Sequence, residues 1–194
     1  EIMPDRDIKL DLERHSRIGF DEAIFCAGKS SDQLTAILDQ ADGATLLLTR
    51  LEQTALDALP DHHRTTLNYE PVSRTAFFGN ITPAQGASRT AVITAGTSDT
   101  PASREAARTL RYYGYSCTEI TDIGVAGLWR LTERVEEIRT YPVVIVAAGL
   151  DAALASVLGG LVPGVVIGLP TSTGYGVAEG GMTELVVGGA LLIV

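Results

Sequence analysis

The sequence predicts an α/β protein in which a small N-terminal α/β domain precedes a larger domain built on a parallel sheet. In the second half of the chain, apolar segments of strand length alternate with segments of helix length through short turns, which is typical of right-handed βαβ units. Hydrophobic residues make up 45% of the 194 residues and charged residues 20%, so the chain can bury a core.

Charge and cysteine content exclude several classes of protein. Asp and Glu outnumber Lys and Arg by 24 to 15, the reverse of what a nucleic-acid-binding surface needs. The two cysteines form no CxxC pair, which excludes a disulfide scaffold and favours reduced thiols in a cytoplasmic protein. The charged N-terminus has no signal-peptide pattern. Residues 143–170 carry one charge, Asp151, but glycines and prolines divide them, so we expect buried strands rather than a membrane span.

We expect residues 1–19 to form an arm and residues 20–80 the small α/β domain, because its apolar runs are short and closely spaced. Ser30 or Ser31 can cap its first helix, and Pro60 can end the next. The predicted elements are a strand at Glu22–Cys26, a helix through Gln40, a strand at Ala44–Thr49, a helix at Leu51–Leu59, and strands at Thr65–Tyr69 and Arg74–Phe78.

Residues 81–88 are predicted to be a linker, and residues 89–194 a second, Rossmann-type domain. Pro101 suits the first turn of its first helix and Gly114 the end. The predicted strands are Arg89–Ala95, Ser116–Ile120, Val143–Ala147, Val165–Leu169 and a closing Ala190–Val194. The predicted helices are Pro101–Tyr113, Leu128–Arg139, Ala152–Leu158 and a short one before the last strand.

Candidate ligand-binding residues follow the predicted parallel strands, where open sheets of this kind bind their ligands. The segment Thr94–Pro101 combines Gly96, hydroxyl side chains, a carboxylate and a helix N-terminus, which together can bind a phosphate. Simple capping explains one of these residues but not all of them. Gly124–Gly127 and Pro170–Gly176 are similar strand ends, and neither has a standard dinucleotide or P-loop motif. Asp151 is either a helix cap or a functional acid.

Other residues favour ordinary structural roles. His62 and His63 have no acidic or cysteine partner at metal-ligand spacing, so we expect them to be solvated. A helical spacing predicts core positions for Trp129, Leu131, Val135 and Ile138. Three arginines lie on one helical face: Arg104, Arg108 and Arg111. We expect such a face to be solvated, and contact with an anion or a neighbouring subunit is the alternative.

Several segments in order resemble the LarB family, the carboxylase/hydrolases of nickel-pincer nucleotide synthesis, also known as AIR-carboxylase-like or circadian phase modifier proteins. In the second domain they are Thr94–Asp99, Asp122–Leu128, Val143–Gly149, Ala153–Val162 and Pro170–Gly176. The segment Leu12–Lys29 is similar to the family's entry into its first domain. The resemblance runs from residue 9 to residue 186 and implies a PurE-like second domain in a homo-oligomer, an octamer or another multimer of dimers.

The resemblance also implies an activity. The substrate is nicotinic acid adenine dinucleotide, CO2 or bicarbonate carboxylates its pyridinium ring at C5, and hydrolysis of the phosphoanhydride releases AMP and the biscarboxylated mononucleotide. Magnesium is the implied metal. The electron-poor ring must accept a nucleophile before a neighbouring carbon can attack CO2, and the family uses a cysteine thiolate for this step.

Roles for particular residues follow from the same resemblance. The phosphate or ribose would be held by Gly96, Thr97, Ser98 and Asp99. The rest of the pocket would be lined by Gly124, Val125, Ala126, Gly127, Gly149, Pro170, Thr171, Ser172, Gly174, Tyr175 and Gly176. The implied catalytic residues are Asp151, at the position of a family glutamate, with Ser98 and Asp99.

The sequence departs from the family near its end. Val187–Gly189 leads directly into Ala190–Val194, without the family's cysteine, and Cys26 and Cys117 lie elsewhere. Either the sequence omits a segment carrying this nucleophile or the protein has lost it, and we expect the omission. Two other functions remain open. The first is a purine-type AIR carboxylase/mutase, to which the resemblance is weaker because the histidines of those enzymes are absent from the second domain. The second is a non-catalytic nucleotide-sensing regulator on the same scaffold.

Overall fold

The computed structural model describes residues 8–41, 43–149 and 153–172, and the chain divides into two compact units, Glu1–Pro83 and Ala84–Val194. Each unit has its own four-stranded sheet, and the sheet of the second unit is entirely parallel. The predicted fold class, an α/β protein with a Rossmann-type second domain, is therefore confirmed. The predicted closing helix and strand lie outside the described residues.

The first unit joins one parallel strand pair to an antiparallel hairpin. Its elements are α1 Arg14–Ile18, β1 Ala23–Phe25, α2 Ser31–Gln40, β2 Leu46–Thr49, α3 Gln53–Asp57, α4 Asp61–Arg64, β3 Asn68–Glu70 and β4 Thr75–Phe78. The strand order is β1-β2-β4-β3, with β1 parallel to β2 and the other pairs antiparallel. Helix α2 buries Leu34, Ile37 and Leu38, a helical spacing that directs one face onto the sheet.

Two details of the first unit refine the sequence analysis. Ser30 caps α2, since its hydroxyl accepts the Gln33 N–H at 3.2 Å while the Gln33 side chain accepts the Ser30 N–H at 3.0 Å. The helix predicted at residues 51–59 is shorter, and a further turn, α4, follows Pro60. Ahead of α1, Ile8 and Leu10 pack against the core of this unit.

The prediction of two solvated histidines is wrong for His63. Its side chain is buried, and its Nε2 lies 2.7 Å from Oδ1 of Asp39. The partner is 24 residues away on another helix, so no local spacing in the sequence indicates it. His62 is exposed.

The second unit is a parallel sheet with connecting helices. Its elements are β5 Thr90–Thr94, α5 Thr100–Tyr112, β6 Cys117–Ile120, α6 Leu128–Thr132, α7 Val135–Ile138, β7 Val143–Ala148, α8 Ala153–Leu161 and β8 Val165–Pro170. One-turn 3-10 helices cover Thr97–Asp99 and Val125–Gly127. In the described residues of either unit, no helix has both the length and the apolar character that a membrane span requires.

The strand order β6-β5-β7-β8 places a change of direction between β5 and β7. From β5 the chain first moves to β6 on one side and then returns to β7 on the other. In open parallel sheets such a switch point leaves a crevice at the carboxyl ends of the two strands. The core beside α6, α7 and α8 includes Ile93, Ile120, Leu131, Ile138 and Leu154. The candidate site is formed by the loops that follow the strands of this sheet.

Two predictions in this unit need correction. The helix predicted at 128–139 is two short helices, and Trp129 is 63% exposed instead of lying in the core. Trp129 and Leu131 are two positions apart and therefore point to different sides of a helix. Nor is the arginine face of α5 simply solvated. Arg108 is buried, and Nε of Arg104 lies 2.8 Å from a carboxylate oxygen of Glu119.

Candidate functional site

The segments that follow the strands of the second unit are tied to one another by backbone hydrogen bonds. Gly124 donates its N–H to the carbonyl of Ala95 at 2.7 Å, and Ile123 donates to Thr94 at 3.1 Å. Thr171, after β8, donates to the carbonyl of Ala148 at the end of β7 at 3.1 Å. The structure therefore brings together the strand ends that the sequence analysis singled out.

Asp99 links two of these strand ends through its side chain. It is 4% exposed, one oxygen accepts the Gly96 N–H at 2.9 Å, and the other accepts the Thr171 hydroxyl at 2.6 Å. Both carboxylate oxygens are thus engaged by protein donors. This geometry assigns Asp99 to positioning the turn after β5 against the end of β8.

Gly96 leaves open space at the beginning of this turn. Its φ of −133° and ψ of 172° are extended values that any residue adopts. Among the described residues, a Cβ at this position would meet only Oδ2 of Asp99, at an ordinary 3.6 Å. Among the described residues, neither the backbone conformation nor a protein neighbour requires glycine here. The position is therefore compatible with the close approach of a ligand.

Thr97 and Ser98 follow Gly96 and are both exposed. In the described part of the chain, their N–H groups donate to no protein acceptor. The 3-10 turn that they begin continues into α5, a helix of 13 residues with Pro101 in its first turn. Unpaired N–H groups at the positive end of a helix dipole favour an anion such as a phosphate.

The turn after β6 is shaped by a close backbone approach. A Cβ on Gly124 would lie 2.6 Å from the carbonyl oxygen of Ala95, so this glycine is needed for packing. Asp122 has a left-handed φ of 58°, and its N–H donates to the Thr94 hydroxyl at 2.9 Å. Val125 is half-buried and Ala126 exposed. We infer that Gly124 serves the fold while the neighbouring residues remain available to a ligand.

Arg130 is a charged group that the sequence analysis did not select. Its guanidinium lies 2.7 Å from a carboxylate oxygen of Asp122, and a Cβ on Gly127 would come within 2.7 Å of its Nε. Because Gly127 has no side chain, the guanidinium of Arg130 has room to lie beside the turn after β6. The signal was present in the sequence as an arginine three residues after Gly127, but an arginine on a helix is usually solvated.

The remaining candidates divide between described and undescribed residues. Gly149 and Pro170 are half-buried at the ends of β7 and β8, Thr171 is buried and Ser172 is exposed. The predicted residues that lie outside the described part of the chain are Asp151, Gly174, Tyr175 and Gly176. Their proposed roles therefore rest on the sequence.

Neither cysteine has the character of an activated nucleophile. Burial raises the pKa of Cys26 to about 11, an effect that Lys29 and a hydrogen bond with the Thr49 backbone only partly offset. Burial, aided by the charge of Glu119, also raises the pKa of Cys117. Both thiols are therefore protonated near neutral pH, whereas nucleophilic cysteines have lowered pKa values.

Comparison with known proteins identifies the family. Residues 6–80 match the family model of the LarB/PurE-like N-terminal domain. The chain is also 33% identical over 182 residues to an uncharacterized protein of Methanocaldococcus jannaschii, an alignment that covers 88% of this chain and 70% of that relative. The alignment extends beyond the first unit and therefore includes most of the parallel-sheet unit. The chain belongs to the LarB family.

Proposed function

We propose that this member of a carboxylase-type family carboxylates the pyridinium ring of nicotinic acid adenine dinucleotide at C5 and hydrolyses its phosphoanhydride. The products are AMP and pyridinium-3,5-biscarboxylic acid mononucleotide. The observation that supports the proposal is the open turn at Gly96, Thr97 and Ser98, next to the switch point between β5 and β7. A dinucleotide carries its negative charge on a diphosphate, which unpaired N–H groups at a helix start can bind.

The chemistry requires a nucleophile, CO2, a base and water. Addition of the nucleophile to the ring moves an electron pair to C5, which forms a bond to CO2. Loss of the C5 proton and departure of the nucleophile then restore the aromatic ring. Water separately attacks the phosphoanhydride, and the bond to the AMP phosphate breaks. We propose Asp151 as the acid or base of these steps, with Ser98 as a hydrogen-bond donor to the substrate.

The nucleophile is not assigned to either cysteine of the sequence. The raised pKa values of Cys26 and Cys117 oppose thiolate chemistry at neutral pH. An assay therefore has to use the full-length protein and follow the ring adduct by mass.

Magnesium belongs to the proposed assay, but the described carboxylates at this sheet edge do not form a site for it. Asp99 uses both oxygens on protein donors, and Asp122 is paired with Arg130. Mg²⁺ requires oxygen ligands in octahedral geometry and often binds through substrate phosphates. We therefore route no catalytic step through the ion.

Substitution of Gly96 tests the proposed substrate site. In Gly96→Ala the new methyl group meets only Oδ2 of Asp99 among the described residues, at an ordinary 3.6 Å, so we expect the fold to be kept and the ligand to be excluded. We expect the affinity for nicotinic acid adenine dinucleotide, measured by calorimetry, to fall at least tenfold, about 1.4 kcal/mol.

Gly160→Ala is the matched control. It also adds one methyl group, which meets no atom of the described residues within 4 Å, and it lies near the end of α8 instead of at the strand ends that form the candidate site. Its affinity should equal that of the unmodified protein. Equal affinity in Gly96→Ala and Gly160→Ala would contradict the proposed site. Binding without turnover in the full-length protein would favour the nucleotide-sensing alternative, and carboxylation of aminoimidazole ribonucleotide would favour the purine alternative.

A further inference from the structure

Three side chains of the first unit with metal-ligating atoms lie close together and have no part in the proposed reaction. Asp39 is in the last turn of α2, and His62 and His63 are the two central residues of α4. One ligand atom from each of the three lies within 4.8 Å of the other two. Among the described residues, no other group of three such side chains is this compact.

His63 and Asp39 form an oriented pair. Nε2 of His63 lies 2.7 Å from Oδ1 of Asp39. The His63 side chain is 8% exposed and packs edge-on against Phe78, with ring centroids 6.3 Å apart, whereas the Asp39 side chain is 59% exposed. The imidazole is therefore held in place by packing, and its Nε2 faces a carboxylate that is itself largely exposed. Such preorganisation favours metal binding.

His62 is close enough to contribute the third ligand. Neighbouring positions of a regular helix point in different directions, but α4 is a single turn. The ring centroids of His62 and His63 are 4.2 Å apart, with an interplanar angle of 44°. Because His62 is exposed, its ring can rotate toward the pair without disturbing the core.

The local charge favours a cation. Asp39 lies at the negative end of the α2 dipole, and no basic residue occupies the last turn of that helix. Arg64, the arginine of α4, is engaged by the Asp61 carboxylate and the Asp57 carbonyl. Neither the last turn of α2 nor the arginine of α4 therefore neutralises the Asp39 carboxylate.

We propose that Asp39, His62 and His63 bind a divalent transition-metal ion, with Zn²⁺ as the best match, and that the ion fastens the end of α2 to α4. Two imidazoles and one carboxylate are a known zinc ligand set that leaves the fourth position to water. Ligand atoms on a tetrahedral zinc ion lie about 3.3 Å apart, so the Asp39–His63 pair separates by about 0.6 Å on binding. Nitrogen ligands disfavour Mg²⁺ and Ca²⁺.

Calorimetry with Zn²⁺ on the chelator-treated, full-length protein tests the site. We expect one Zn²⁺ ion to bind per chain, and we expect Mg²⁺ and Ca²⁺ not to compete with it. His62→Gln removes an exposed ligand without opening the core and should weaken binding roughly 10- to 100-fold or more. Asp39→Asn should weaken it similarly, while its amide oxygen can still accept a hydrogen bond from His63.

His15→Gln is the matched control, because His15 is another exposed histidine of the same unit and its partner is the single carboxylate of Asp21 among the described residues. It should bind Zn²⁺ like the unmodified protein. Co²⁺ should give a visible tetrahedral spectrum in the unmodified protein and in His15→Gln, and the spectrum should be lost in His62→Gln. Zn²⁺ affinities that are the same in His62→Gln and His15→Gln, or no Zn²⁺ binding by the unmodified protein, would overturn the proposal.

Discussion

The two oxygens of Asp99 accept hydrogen bonds from two different strand-end segments, through the Gly96 N–H and the Thr171 hydroxyl. A carboxylate that is 4% exposed and accepts hydrogen bonds through both oxygens holds its surroundings in place. Within the proposed function, Asp99 would therefore be a positioning residue. Its hydrogen bonds hold the turn at Gly96 against the end of β8.

Asp99→Ala should lower the free energy of unfolding by about 1–3 kcal/mol, because two donors lose their acceptor. Asp99→Asn should recover most of this loss, since an amide can accept from Gly96 and donate to the Thr171 hydroxyl. Urea denaturation followed by circular dichroism measures both. Ser98→Ala, at an exposed position, serves as the control and should change stability by less than about 0.5 kcal/mol. An Asp99→Ala variant as stable as Ser98→Ala would contradict this role.

The thiol of Cys26 is protected by the core of the first unit. Its pKa is raised from 9.0 to about 11, chiefly by burial. At pH 8 the folded protein should therefore contain about 100-fold less Cys26 thiolate than the unfolded chain, and iodoacetamide should alkylate it correspondingly slowly. The raised pKa also means that Cys26 stabilises the fold fully below pH 9, and that this contribution is lost as the pH rises toward 11.

Intact-mass spectrometry of the alkylated protein, with a urea-unfolded sample as control, measures these rates. Equal rates for Cys26 in the folded and unfolded samples would show that the thiol is accessible and ionised. That result would restore Cys26 as a candidate nucleophile.

At the scale of elements, capping determines where α2 begins. The sequence allowed Ser30 or Ser31 as the cap, and only Ser30 exchanges hydrogen bonds with Gln33. Ser30→Ala should lower the free energy of unfolding by about 0.5–2 kcal/mol, whereas Ser31→Ala should have little effect. Thermal unfolding of the two variants compares them directly. A larger loss in Ser31→Ala would mean that the helix begins one residue later.

Most of the described strands and helices of the second unit were predictable, because their apolar runs end at glycines and prolines. The strand predicted at Val165–Leu169 is β8, Val165–Pro170, and the helix predicted at Pro101–Tyr113 is α5, Thr100–Tyr112. The orientation of single residues was less predictable. Trp129 was assigned to the core with Leu131, although a separation of two residues places them on different sides of a helix.

Contacts between distant segments could not be read from local patterns. The sequence placed the Gly96 turn and Thr171 at one edge of a sheet, but it did not show that Asp99 joins them across 72 residues. His63 and Asp39 are 24 residues apart, and their pairing depends on how α4 packs on α2. Such pairs follow from the tertiary fold, and a sequence pattern with helical or strand period carries no information about them.

At the scale of the whole molecule, the chain has two units with separate cores. The second unit carries the turn at Gly96, Thr97 and Ser98, which we propose as the anion site, beside the switch point of its sheet. The first unit carries the family-specific domain and the Asp39–His62–His63 cluster. The chain has a net charge of −9, so we expect the proposed binding of an anionic dinucleotide to depend on local N–H groups rather than on the overall field.

The most direct test of the account is mass spectrometry of the full-length protein incubated with nicotinic acid adenine dinucleotide, bicarbonate and Mg²⁺. We predict that AMP will form, together with a product heavier than nicotinic acid mononucleotide by one carboxyl group, and that ¹³C-bicarbonate will label this product. Gly96→Ala should lower the yield and Gly160→Ala should not. AMP without the carboxylated product, or no turnover by a protein that binds the dinucleotide, would contradict the proposed carboxylation.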